Sequence, residues 1–226
     1  MKRRDVLNQI KAITRILIGE GILKSYNFPL EDSGSNQVVW ANFKDITFIL
    51  KDKEYNELFS TCLEHKAYNF MFLDGSIIQM MYKYKSRNLE EHRLLFYPNP
   101  NSSRYDDSEE FEEDHYGNKL FAEIHKQNVI IFPVRFDYSS DKKKYVEVNH
   151  SYSHLTLGNY KNCRIPVSDF VEPKDFIDFI LRNFYYTKYQ EMSEKIVTID
   201  NISSENNILT DNEKNIMHID IRQIRT

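Results

Sequence analysis

A chain of 226 residues, 41% hydrophobic and 14% aromatic with 15 Tyr and 15 Phe, can build one domain with a substantial core and is too aromatic for disorder. A net charge of -4 excludes the strongly basic balance of a protein that lives on phosphate backbones, while leaving room for a local basic groove. The two cysteines, Cys62 and Cys163, lie far apart with no CxxC spacing, which excludes a paired metal motif and fits reduced thiols in a cytoplasmic protein.

Lys2, Arg3 and Arg4 look like the start of a secretion signal, but the next stretch places polar residues at helical spacing. No run approaches the roughly 20 apolar residues that span a bilayer, so no membrane association is expected. Residues 5–18 predict an amphipathic helix with Val6, Ile10, Ile13 and Leu17 on one side and Gly19 and Gly21 as its stop. The segment 25–37 is read as a loop, 46–50 as a short strand and 53–66 as a second helix.

Strands then dominate. YNFMFL (68–73) enters the turn Asp74-Gly75-Ser76, SIIQMMYKY (76–84) leaves it, and HRLLFY (92–97) follows, stopped by Pro98 and Pro100. Their period-2 patterns predict an antiparallel meander. Residues 101–118 form an acidic, polar insertion, read as solvated loop. IIFPVRFDY (130–138) is the clearest strand, with Pro133 favouring an edge or a bulge. Asp141 to Lys144 is a loop tip, and SHLTLG (153–158) and NCRIPV (162–167) are two strands joined by a tight turn at Gly158-Asn159.

Pro173 opens an amphipathic helix with Phe176, Ile177, Ile180, Leu181 and Phe184 on its apolar side. Phe184, Tyr185, Tyr186 and Tyr189 end it and are expected to pack on the sheet rather than on a base. The stretch 187–215 reads as linker with a weak strand at 196–199. Residues 216–224 alternate like a strand that must add to a sheet edge of this chain or another. The fold class is therefore α+β: a mostly antiparallel sheet of five to seven strands with helices packed on one face. The expected organisation is a single domain over 1–189 and an extension over 190–226 with an added strand.

GxGxxG, Walker A, GxSxG and HExxH motifs are absent from the sequence. The informative pattern is polar residues on otherwise apolar strands. Arg135 and Asp137 share one strand face, His154 and Thr156 another, and Arg164 lies opposite Cys163 and Ile165. If these strands are neighbours, one sheet face carries Arg135, Asp137, His154 and Arg164, which Gln79, His92 and Arg93 can join. Such a face suits anion binding or metal-independent phosphodiester cleavage. Arg135 with Asp137 as a solvent-side ion pair, and His154 as a core histidine bonded to backbone, stand as the structural alternatives.

His150 and His154 have zinc-like HxxxH spacing, but two strand residues four apart sit roughly 13 Å apart, too far for one metal. A turn at Ser151-Tyr152 would be needed, so no metal or other cofactor is expected. Asp74-Gly75-Ser76 reads as turn chemistry, and Cys163 as a small hydrophobe on an apolar strand face.

YNFMFLDGSIIQ, HRLLFYPNP, PVRFDY, SHLTLG, NCRIPV and FILRNFY, in that order between about Tyr68 and Tyr185, resemble an uncharacterised prokaryotic group, the domain-of-unknown-function family 2290. That resemblance implies no activity. A fainter likeness is to TumE-type toxins, through Asp74, Arg135, Asp137, His150 and His154, although the gap from Asp137 to His150 is much wider here.

Two functions follow as expectations. The first is a nucleic-acid-directed effector, an RNase-like toxin or defence component. In it His154, Asp137 and Arg135 do the chemistry, and Arg164, His150, Arg93 and Gln79 bind substrate. The second is a non-catalytic subunit that meets a protein partner through its C-terminal strand.

Overall fold

The computed structural model describes residues 1–45, 53–101, 132–158, 162–202 and 207–221. The strand expected at 46–50, nearly all of the acidic insertion, Ile130 and Ile131, the second half of the turn at Gly158-Asn159 and residues 222–224 lie outside them.

Helix α1 (Arg3–Gly19) buries Val6, Ile10, Ile13 and Leu17, the stripe that its periodicity predicts. The chain then makes β1 (Leu23–Tyr26) and the hairpin of β2 (Pro29–Asp32) and β3 (Gln37–Trp40). The loop expected over 25–37 is thus mostly strand. Its polar and proline residues hid a short alternation that ends in buried Val38, Val39 and Trp40. Helix α2 (Tyr55–Glu64) follows.

The predicted meander is β4 (Phe70–Phe72), β5 (Ile77–Lys85) and β6 (Asn88–Tyr97), continued by β7 (Val134–Ser139), β8 (Ser153–Leu157) and β9 (Arg164–Pro166). Among the described residues all pair antiparallel in a nine-stranded sheet of order β1-β4-β5-β6-β7-β8-β9, with β3 beside β4 on the same edge of β5. The β4–β5 turn needs glycine: Gly75 has φ 83°, and a Cβ there would meet Asn99 Nδ2 at 2.7 Å. Asp74 is tied into this turn and into the core, taking hydrogen bonds from Ser76 N (2.8 Å) and the buried Tyr185 hydroxyl (2.8 Å). Its role there is structural.

One face of the sheet, with Ile78, Met80, Tyr82, Leu94, Phe96 and Phe136, forms the main core with α1, α3 (Pro173–Phe184) and α4 (Tyr186–Val197). Pro133 ends the chain's approach to β7 instead of lying within the strand, and its carbonyl accepts from Gly158 N at 2.8 Å. On the opposite face α2 covers a smaller cluster around Trp40, Phe59, Cys62, Leu95 and Tyr97. The rest of that face is not capped by a helix among the described residues, and the polar residues of β6 to β9 lie there.

The C-terminal residues depart most from expectation. Residues 196–199 are the end of α4 and its cap rather than a strand, and Met192, Ile196, Ile199 and Ile221 all enter the main core. Among its described residues, the alternation expected over 216–224 yields one parallel bridge, Val167 to Ile219, beside β9. A capping box of Thr210 and Glu213 starts the short α5 (Asp211–Lys214). Among the described residues no helix is long and apolar enough to cross a membrane.

Candidate active site

Strand register assembles the polar array. Arg93, Asp137 and His154 lie directly opposite one another on β6, β7 and β8, and one step along, Arg135, Thr156 and Arg164 do the same on β7, β8 and β9. Period 2 puts both rows on one face and sends His92, the neighbour of Arg93, to the other. There His92 Nε2 accepts the Val171 amide at 2.9 Å, and burial pushes the ring down to about 3. His92 is therefore a core histidine, outside the array that it was expected to join.

Gln79 shares the polar face but not the site. Its amide lies under α2 and donates to the Ala67 carbonyl at 2.5 Å and to Cys62 Sγ at 3.6 Å. Cys62 is itself buried and its thiol is pushed up to about 12. A substrate-binding role for Gln79 has no geometric support.

Asp137 is the hub. Arg93 Nε stands 3.3 Å from its Oδ1, Arg135 Nε 2.5 Å from its Oδ2, and His154 Nε2 3.8 Å from that same oxygen. Burial raises the Asp137 carboxyl, but Arg135 and Arg93 outweigh it and hold the acid below its ordinary range. His154 Nδ1 bonds the Ser151 carbonyl at 3.0 Å. A carbonyl only accepts, so Nδ1 carries the proton and Nε2 the lone pair. Burial pushes His154 down to about 4, against the pull of Asp137 and with help from His150 and Arg164. At neutral pH it is an uncharged base whose imidazolium, once formed, meets a carboxylate.

His150 joins the site by way of the Ser151-Tyr152 turn. Its ring centre lies 4.9 Å from that of His154, far less than the spacing of two residues on a straight strand. The bridge between Val146 and His150 folds the loop back, and His150 Nδ1 bonds the Lys144 carbonyl. Among the described residues no group of three His, Cys, Asp or Glu could hold a metal ion. Arg164, on β9, reaches the Asn149 carbonyl at 3.5 Å; burial and the neighbouring Arg135 lower its guanidinium from the ordinary value, without discharging it.

These groups line a cleft of about 480 Å³. Three guanidiniums there face one carboxylate, and further along its wall Lys83 and Lys144 are matched by Glu91 and Asp45. The floor is thus cationic in a protein whose net charge is negative.

The loop that carries His150 is held by the C-terminal segment. The Val148 amide donates to Glu213 Oε1 at 3.4 Å, and the Asn212 side chain donates to Glu147 at 3.1 Å. Val148 has φ 68°, a left-handed conformation that a β-branched residue rarely adopts. Val148→Gly should relieve that strain and stabilise the protein by about 1 kcal/mol, read as a higher urea midpoint. A lower midpoint would mean that the valine side chain contributes more than the strain costs.

Sequence reasoning found the Arg135, Asp137, His154 and Arg164 face. It missed Tyr145 and Tyr152, which line the cleft as a stacked pair (4.3 Å, 13°). Their signal was weak, since both lie in turns with no period.

No curated protein and no solved structure matches the chain. The family described as "Uncharacterized conserved protein (DUF2290)" matches residues 22–221, which takes in α4, the C-terminal bridge and the loop clasp as well as the motifs between Tyr68 and Tyr185. The chain belongs to this family, DUF2290.

Proposed function

We propose that the cleft binds a nucleic-acid phosphate and cleaves RNA without a metal ion, as the effector of a prokaryotic toxin or defence system. The observation that carries this reading is the neutral, buried His154 set against Asp137 and ringed by Arg93, Arg135 and Arg164. A basic or neutral ligand gains nothing special from three guanidiniums. A phosphodiester gains charge-assisted hydrogen bonds that strengthen as negative charge builds on its oxygens.

The chemistry balances with the groups at hand. His154 Nε2 removes the proton of the ribose 2′-hydroxyl, whose oxygen attacks the adjacent phosphorus. The bond from phosphorus to the 5′-oxygen breaks, and the leaving oxygen takes a proton from His150 as the general acid. The products are a 2′,3′-cyclic phosphate and a 5′-hydroxyl. Asp137 stabilises the His154 imidazolium between turnovers. Arg135 and Arg164 hold the phosphate.

Purified protein should therefore cut RNA in excess chelator, yield cyclic-phosphate ends and leave DNA of the same sequence intact. Loss of activity on chelation, or equal cutting of DNA, would overturn the mechanism. Arg135→Ala should cost about 10²–10³-fold in rate, as removal of an oxyanion donor does.

A second reading, a non-catalytic partner-binding subunit, is favoured by one observation. Met217 is 83% exposed beside a 40% exposed Ile216, in the segment that docks beside β9. Under it Met217→Glu would remove a complex that His154→Ala leaves intact.

A further inference from the structure

We propose that the wall formed by Tyr145 and Tyr152 is a nucleobase-stacking subsite that restricts this cleft to single-stranded RNA; the inference rests on the phosphodiester reading of the same site.

Tyr145 and Tyr152 stack at 4.3 Å and 13°. Most aromatic side chains of the chain belong to one of its two apolar clusters, but these two belong to neither. They sit half-buried on the loop that carries His150, beside the 53% exposed Val146, and both face into the cleft. Phe43 also lines the cleft, held edge-on against Trp40 at 4.9 Å. The two tyrosine rings, placed outside both apolar clusters and next to a cationic floor, combine the two elements of single-strand recognition: a charge track for the backbone and a π surface for the base.

Shape sets the strandedness. A cleft of about 480 Å³ has the size of a small-molecule pocket. An RNA duplex is read instead over about 16 base pairs across two minor grooves, with its bases already stacked on each other. A base can reach Tyr152 only after leaving such a stack, which costs a few kcal/mol. Placing Tyr152 two residues before His154 and two after His150 sets the base next to the scissile phosphate.

The test uses the full chain with a labelled oligoribonucleotide, alone and annealed to its complement. The wild type should cut the single strand faster by at least about tenfold. Tyr152→Leu, which keeps an apolar side chain, should raise KM for the single strand by about tenfold or more with kcat little changed, and Tyr152→Phe should restore the wild-type KM. Equal cutting of both substrates, or an unchanged KM in Tyr152→Leu, would overturn the subsite.

Binding of the all-deoxy single strand, followed by fluorescence anisotropy, separates this inference from the parent reading. Tyr152-dependent binding with no RNA cleavage leaves the subsite standing and removes the catalytic proposal. Absence of both cleavage and binding removes the two together.

Discussion

His154→Ala is expected to lower RNA cleavage by about 10²–10⁴-fold, the usual contribution of a positioned general base, with the fold retained. Methyl replaces an imidazole that lies over the cleft, not within the helix-packed core, and the lost bond to the Ser151 carbonyl costs about 1 kcal/mol. Activity and stability should therefore separate, which they would not do if His154 were only a packed residue. The wild-type pH profile carries a second signature. The base form is required, so the rise of kcat/KM with pH should pass through about 4, the value to which burial pushes His154. Bound phosphate brings negative charge beside the ring and favours the imidazolium, so the rise in kcat should come at higher pH than that in kcat/KM. Cleavage that survives in His154→Ala, or a kcat/KM rise centred near 6.5, would assign the proton to another group.

The residues around this histidine show what sequence can and cannot reveal. Arg135, Asp137 and His154 were legible because a strand alternates sides with every residue: a polar residue at every second position of an apolar strand must share a face with the next. The same rule could not choose between His92 and Arg93. Adjacent residues always take opposite faces, and only the pairing of β6 with β7 shows that Arg93 is the one beside Asp137. Gln79 obeyed the alternation and still missed the site, because α2 covers its end of the face, and what covers a sheet is a tertiary fact. The distance from His150 to His154 was overestimated for the opposite reason. A bridge to Val146 and a left-handed Val148 bend the loop tightly, and a valine advertises neither. In the tail, the alternation over 216–224 described a true β contact at Ile219, yet among the described residues it makes one bridge, and Ile221 enters the core instead. The helix over 186–197 was hidden by its composition, since only Met192 and Ile196 are fully buried and its outer side is polar.

Acid should begin to destabilise this protein above the pH at which its carboxylates titrate. His92 and His154 are both held neutral by burial, at about 3 and about 4, against an ordinary value of 6.5. Protonating His92 in place would set an N–H against the Val171 amide that Nε2 now accepts. The sign follows from proton counts: below about 6.5 the unfolded chain binds protons that the native state refuses, so stability falls as pH drops from about 6.5 towards 4. With two such rings the loss should reach roughly 5 kcal/mol, a large part of the 5–15 kcal/mol that a domain commands. Asp137 acts in a lower window. Its depressed value supplies stability above the unfolded carboxyl range and loses it only as pH falls through the native one, so it cannot account for a loss that begins near 6. Urea midpoints measured from neutrality to about pH 4.5 should decline steadily. In His92→Gln, whose amide oxygen can still accept from Val171 without titrating, the decline should be shallower by about one proton. A level midpoint across that range would show that the two rings take up protons within the fold, and would remove the basis for treating His154 as a neutral base.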